Sequence, residues 1–335
     1  MRTISPVTRR RYLSGATVVL AALAGVFGAQ ADTIAYWNFE EGPAGANVAR
    51  GGMSDGVFYP AVQDQSGNGY HLSVWSDGGG AGYAYRTDVA SPTIPLTGAP
   101  NNFSVKNTGG FPAMWTESPA LQAWSPLTWT IEVSFQPELS DSYRTLVGRD
   151  SQGANTAGPS PNPDLAALYL QIQPDESLAI KFNDVSGYWH EAISAPGLVQ
   201  GFAFSSDNDG LTGQWQSAAA VSDGSTLRLY YRNVELGEGW QLVAELDLTA
   251  SGSPNTALTP GTGDGGDWDA GNFSVGRGLY AGGHTDRAWG FIDEVRLSDV
   301  ALTPDQFLMV PEPSSLALGL VGFGIAVATR RRNRG

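Results

Sequence analysis

The chain has 335 residues, no cysteine, and 33 acidic against 19 basic side chains, a formal net charge of −14. Eight of the basic residues and one of the acidic ones lie in the two terminal segments, leaving 11 against 32 and a net −21 in between. A surface of that sign repels nucleic acid and anionic lipid, which excludes a DNA- or RNA-binding role, and a chain without cysteine holds no disulfide. Glycine (43) and proline (20) are abundant and long helical periodicities are absent, which points to an all-β protein with long loops.

In chain order, Met1 to Ala31 carries Arg2, Arg9, Arg10 and Arg11, an apolar run from Ala16 to Gly28, and Ala29-Gln30-Ala31. A basic region, an apolar core and a small-x-small end in that order predict a secretory signal peptide over 1–31, cleaved before Asp32. Thr8-Arg9-Arg10-Arg11-Tyr12-Leu13 also looks like a twin-arginine export signal, so the export route stays open.

Strands then follow by alternation. Thr33 to Phe39 is the first. Val62 to Gly69, dense in Asp, Asn and Gly, is a turn, and Tyr70 to Trp75 resumes a strand. Residues 76–127 are rich in Gly, Pro, Ser and Thr and read as short strands separated by loops, or as a loop insertion, with only Asn102 to Val105 looking extended. Thr128 to Phe135 alternates cleanly, with Pro137 closing it. Tyr143 to Gly148 comes next, followed by a loop from Ser151 to Pro163. Leu165 to Gln173 and Ser177 to Asn183 pair as a hairpin, and Gly187 to Ser194 is another short strand. Trp215 to Val221 and Thr226 to Asn233 form a strong hairpin that Gly239 to Leu248 extends. Asn272 to Gly276 and Trp289 to Leu297 finish the sheet, and Thr303 to Phe307 reads as a capped helical turn. Roughly twelve to fourteen strands without a repeat period predict a two-sheet antiparallel jelly-roll sandwich over 32–309.

Three blocks carry a family resemblance. Tyr36-Trp-Asn-Phe-Glu-Glu-Gly42 with Asp64-Gln-Ser-Gly-Asn-Gly69, the hairpin from Trp215 to Tyr230, and Gly290 to Phe307 resemble the opening, central hairpin and close of the LamG-like jelly-roll family, in the concanavalin A-like lectin/glucanase superfamily. The resemblance implies two packed antiparallel sheets with the first and last strands side by side. By the same analogy it implies a structural calcium ion where those strands meet, with Glu40 (or Glu41), Asp64 and Asp293 as ligands. Asp64 reads equally well as an Asx-turn residue.

Catalysis finds no support. The laminarinase-like relatives of this superfamily carry Glu-x-Asp-x-x-Glu on one strand, where a period of two brings the carboxylates to one face. The nearest match, Glu245-Leu-Asp247-Leu-Thr-Ala250, lacks the last acid. Glu132 has no acidic partner at that spacing, and the adjacent Asp293 and Glu294 should point to opposite faces. His71, His190 and His284 stand in unrelated contexts without a Gly-x-Ser-x-Gly elbow and read as surface histidines. The acidic loops Asp207 to Gly210 and Asp264 to Asp269 do not complete an EF-hand. Carbohydrate binding requires exposed aromatic faces, and Trp75, Tyr83, Tyr85, Trp115, Trp124 and Trp268 are the loop aromatics that could supply them. Trp37, Trp129, Trp215 and Trp289 read as core.

The tail is the most specific stretch. Pro311-Glu312-Pro313 precedes an uncharged apolar run from Ser314 to Thr329, and Arg330, Arg331, Arg332 and Arg334 follow. As a helix the run would span roughly 24 Å, short of the ~30 Å hydrocarbon core, and the arginines would stay cytoplasmic. The layout over 310–335 resembles the PEP-CTERM sorting signal of Gram-negative bacteria. That resemblance implies export, recognition by an exosortase, a transient inner-membrane anchor through this segment only, and delivery to the cell surface or extracellular matrix. The expectation is a non-catalytic surface protein that binds extracellular polysaccharide or another surface component. A purely structural or adhesive module with protein partners is the alternative, and a glycoside hydrolase-like enzyme the more distant one.

Overall fold

A computed structural model describes residues 33–49, 52–54, 57–59, 61–75, 82–110, 112–139, 141–203, 213–261 and 270–310. The strands in chain order are β1 (Thr33–Trp37), β2 (Gly52–Ser54), β3 (Val57–Tyr59), β4 (Leu72–Trp75), β5 (Tyr83–Arg86), β6 (Ser104–Asn107), β7 (Ala113–Thr116), β8 (Trp129–Leu139), β9 (Arg144–Arg149) and β10 (Leu168–Ile172). They continue as β11 (Leu178–Asn183), β12 (Trp189–Ile193), β13 (Phe202–Ala203), β14 (Gln216–Ser222), β15 (Thr226–Asn233), β16 (Gln241–Asp247), β17 (Phe273–Val275), β18 (Gly278–Tyr280), β19 (Gly283–Thr285) and β20 (Gly290–Ser298). A single turn of α-helix (Pro119–Gln122) and a 3-10 turn (Leu248–Ser251) are the helical elements among the described residues.

Two sheets form a sandwich. The first runs β16-β15-β14-β8-β20-β6-β5, with β1 on β20 and β13 on β8; the second runs β12-β11-β10-β9-β17-β7-β4. The first and last strands are antiparallel neighbours, Trp37 opposite Val295. The core follows from the two-residue period of a strand. Ile131, Val133 and Phe135 of β8, with Ala218 and Ala220 of β14, face Leu168, Leu170 and Ile172 of β10 and Ile180 and Phe182 of β11 in one apolar cluster. Trp37, Trp129 and Trp215 are fully buried, whereas Trp289 is half-buried.

Two expectations are corrected. The short strands expected over 76–127 belong to the sandwich and are no insertion: β5 and β6 extend the first sheet, β7 belongs to the second, and Tyr83, Tyr85 and Val105 stand in the core. β8 also runs on through Pro137 to Leu139: Pro137 has no N–H to give, but it lies opposite Gly290, and pairing resumes at the next residue, where Glu138 N–H donates to Trp289 O at 3.0 Å.

The outer faces of the two sheets differ. On the first, the loop 88–101 and the strap 299–310 lie over the strands: Leu302 and Phe307 pack with Ala219 and Val221, and Met309 with Trp215 and Phe291. Beneath them Glu132 and Arg296 are 2% and 4% exposed. Arg296 Nε donates to Glu132 Oε2 at 2.6 Å, and Glu132 Oε1 accepts from Leu308 N–H at 2.6 Å, so one buried pair clamps the strap. Arg232 donates to the carbonyl of Met309. Among the described residues the second sheet carries no such cover over β10, β11 and β12, and the alternate residues there line a groove.

Candidate functional site

The groove is built from the outward-facing members of strands whose other members are core. On β10 these are Tyr169 and Gln171, on β11 Lys181, and on β12 Trp189 and Glu191. Register sets Tyr169, Lys181 and Glu191 in a row across three strands. The hairpin β18–β19 forms one wall with Tyr280 and Thr285, followed by Asp286. The segment Asn162 to Leu165 forms another, and Tyr143 stands at the start of β9. Together they enclose a cavity of about 470 Å³, within the range of small-ligand sites.

Local sequence explains the walls. Ala281 and Gly282 both have positive φ (49° and 74°), the pattern of a two-residue hairpin turn whose twist matches the strands. The wall can approach the floor closely because a Cβ on Gly278 would stand 2.7 Å from Thr145 Oγ1. Ala281 N–H donates to Asp164 O at 2.9 Å, joining the two walls. At the base of the hairpin Arg277 makes a two-point pair with Asp150 at 2.9 and 2.5 Å, and both side chains are buried.

The lining combines aromatic faces with polar groups that already have partners. Tyr143 and Tyr280 are 42% and 46% exposed. Trp189 meets Tyr169 edge-on, centroids 6.0 Å apart, and its indole N–H donates to Glu191. The Tyr169 hydroxyl donates to Leu279 O and accepts from Ala166 N–H at 2.7 Å, so its ring is locked. Lys181 Nζ donates to Gln173 Oε1 at 3.1 Å and lies 5.5 Å from the Tyr143 ring centroid. Burial lowers the Lys181 pKa, opposed by Glu191, Asp286 and Asp175. Burial raises that of Asp286, opposed by the Thr285 hydroxyl, Arg144 and Lys181.

The aromatics named from the sequence lie elsewhere. Tyr83 and Tyr85 are strand residues, 1% and 3% exposed, and offer no face to a ligand. Trp115, on β7, is 8% exposed with its indole on Glu117 at 3.1 Å, and Trp124 packs against Phe273 at 5.7 Å. Period-two burial overrides the loop-like composition that suggested exposure. Trp75 belongs to β4, its side chain outside the described part, and Trp268 lies outside the described residues, as do Pro311, Glu312, Pro313, Arg330, Arg331 and Arg332. No helix among the described residues is long and apolar enough to cross a membrane.

Among the described residues no group of three or more Asp, Glu or His side chains is placed to hold a metal, although the Glu40 charge acts on both Asp293 and Glu294. Asp64 is taken up by its own turn, accepting from Tyr36, Ser66 and Tyr70 N–H at 2.9–3.0 Å. Glu40 accepts from Asn102 and Phe103 N–H at 2.8 and 2.7 Å. Asp293 is different. A bulge in β20 puts Glu294 at a φ of 53°, so the adjacent acids share a face instead of opposing one another. Asn101 Nδ2 donates to Asp293 at 3.0 Å and to Glu294 at 3.4 Å, and the Tyr36 hydroxyl donates to Glu294. Burial lifts Asp293 to about 7 and Glu294 well above the carboxylate range. Asp293 Oδ1 and Asn101 Oδ1 are buried without a hydrogen-bond partner.

The glucanase-like carboxylates have structural partners: Glu245 accepts from Arg228 at 2.8 Å, and Asp247 from Thr249 N–H at 2.9 Å. His190 is buried, not a surface residue, and pairs with Asp184 at 2.8 Å. The groove residues were legible only as outward positions of strands whose inward positions are apolar; Tyr280 and Thr285, on a hairpin without a strong alternation, carried no such signal.

Residues 310–333 match the PEP-CTERM protein-sorting motif, which implies recognition by an exosortase, export and surface sorting in Gram-negative bacteria. No curated protein matches the chain. Among solved structures it is similar to the CBM40 of Ruminococcus gnavus IT-sialidase bound to alpha2,3 sialyllactose, at 16% identity over 56% of this chain and 83% of that one, TM-score 0.37. It is also similar to the leech intramolecular trans-sialidase, at 17% identity over 58% of this chain and 24% of that one, TM-score 0.38. A third is the botulinum neurotoxin serotype D binding domain, at 12% identity over 82% of this chain and 49% of that one, TM-score 0.40. The likeness is one of β-sandwich architecture and says nothing of a ligand.

Proposed function

We propose that this is an exported, non-catalytic surface protein that binds carbohydrate in the groove over β10, β11 and β12, on a jelly-roll sandwich of the concanavalin A-like kind. The observation that carries the reading is the groove itself: exposed Tyr143 and Tyr280 and half-buried Trp189 stand around carboxylate, amide and ammonium groups. Aromatic rings take the apolar faces of a pyranose, and the polar groups fix its hydroxyls. Val310, the last described residue, lies on the outer side of the first sheet, opposite the groove. Titrating the full chain with soluble polysaccharides should change its tryptophan fluorescence, and Trp189→Ala should remove that response. No response to any polysaccharide would favour the structural or adhesive module instead.

Calcium is a separate proposal. Two carboxylates and one amide oxygen at Asp293, Glu294 and Asn101 supply part of the six to eight oxygens the ion takes, so the fit is incomplete without backbone carbonyls or water. The same melting temperature in EDTA and in excess calcium chloride would remove it.

A further inference from the structure

We infer that the groove selects glycans without carboxylate or sulfate groups, an inference that rests on the carbohydrate-binding reading above. The ionisable side chains that line it are Glu191, Asp286 and Lys181, two anions to one cation. The cation is already engaged. Lys181 lies opposite Glu191 in the strand register, its ammonium donates to Gln173, and it stands over the Tyr143 ring. An incoming carboxylate would compete with those partners for the one ammonium and approach two like charges, at a cost that rises as water leaves the cavity. Arg144 also acts on Asp286, but its side chain is buried and does not line the groove. His284, on the same hairpin, is pushed down to about 3 by burial and by Arg277 and Arg287, so it adds no positive charge at neutral pH. The mature chain's large acidic excess adds long-range repulsion of the same sign.

Glycan hydroxyls meet the opposite situation. Glu191, Asp286, Gln171 and Asn162 offer carboxylate and amide oxygens that accept from O–H donors, and hydrogen bonds to charged acceptors are the stronger kind. The groove thus has the composition of a site for neutral sugars, with hexosamines tolerated and uronic, sialic and sulfated sugars rejected.

The test is affinity electrophoresis and titration of the full chain against laminarin, galactan and mannan on one side and polygalacturonate, alginate and polysialic acid on the other. The expected result is retention by at least one member of the first group and at least tenfold weaker binding to every member of the second, in low salt. An acidic glycan bound as tightly as the best neutral one, and lost in Trp189→Ala, would overturn the charge selection while leaving the groove as a sugar site. Binding unaffected by Trp189→Ala, or no binding at all, would overturn the groove reading itself. Glu191→Gln with Asp286→Asn supplies the converse: acidic glycans should gain at least tenfold, and no gain in the folded variant would count against the inference. Should that variant not fold, salt decides with the natural chain. Residual binding of polygalacturonate should strengthen from 20 to 300 mM NaCl as repulsion is screened, and a weakening would overturn the proposal.

Discussion

The two outer faces of the sandwich start from the same material and end in opposite states. Each is made of the alternate residues of strands whose other residues form the core, and each carries carboxylates, basic groups and aromatics. On the first sheet the strap 299–310 and the loop 88–101 cover those residues, so Glu132, Arg296 and Arg232 become buried fasteners. On the second sheet nothing among the described residues covers β10 to β12, and Tyr169, Lys181, Trp189 and Glu191 line a cavity. One buried arginine–carboxylate pair serves each face: Glu132–Arg296 holds a cover down, and Asp150–Arg277 holds a wall up. What separates a fastener from an open groove residue is whether chain returns over it.

The largest expected effects break that parallel. Glu132→Ala and Arg277→Ala each strand an opposite charge in the interior, and each should cost about 3–5 kcal/mol in urea unfolding. Only Arg277→Ala should also weaken glycan binding, because only it frees the groove wall. Equal losses of binding would show that the faces are not independent. Phe307→Ala, which removes the ring that packs edge-on against Tyr230 and Trp240, should cost about 3 kcal/mol without touching the groove.

A pH effect of intermediate size belongs to the covered face. Asp293 has a folded pKa of about 7, above its ordinary 3.8, and Glu294 is raised as well. An acid whose pKa is raised by folding favours the folded state while it holds its proton, so stability is lost as pH rises through the folded value. In metal-free buffer the melting temperature should fall from pH 5 to pH 8, and Asp293→Asn with Glu294→Gln should flatten that fall. A wild-type melting temperature that rises over this interval in parallel with the variant would contradict it. The smallest stability change is expected on the open face. Tyr280→Ala should stay within about 0.5 kcal/mol of wild type by thermal melting yet weaken binding about fivefold, close to 1 kcal/mol.

Particular residues show what could be read in advance. The hairpin from Trp215 to Asn233 was plain because apolar and polar residues alternate on both sides of Ser222-Asp-Gly-Ser225. Tyr83, Tyr85 and Trp115 read as loop residues because short strands set among Gly, Pro and Ser lack enough residues to show a period, yet pairing with their neighbours buries them. The bulge leaves a trace in the sequence: Ile292, Val295 and Leu297 all face the core, and the three-residue gap between the first two breaks the period of two at Asp293-Glu294. The groove was not legible. Tyr169 and Lys181 lie opposite each other on one hairpin, but Tyr143, Asn162 and Tyr280 reach them only across the fold.

The sequence by itself determined the all-β class, most strand positions, the acidic exterior and the sorting motif at 310–333, because each depends on composition or on local period. The tertiary structure decided which outward-facing residues are covered and which open, that Asp293 and Glu294 share a face, and where the aromatic groove lies. Those depend on where distant segments return to the sheets, a matter of long-range packing that no local pattern encodes.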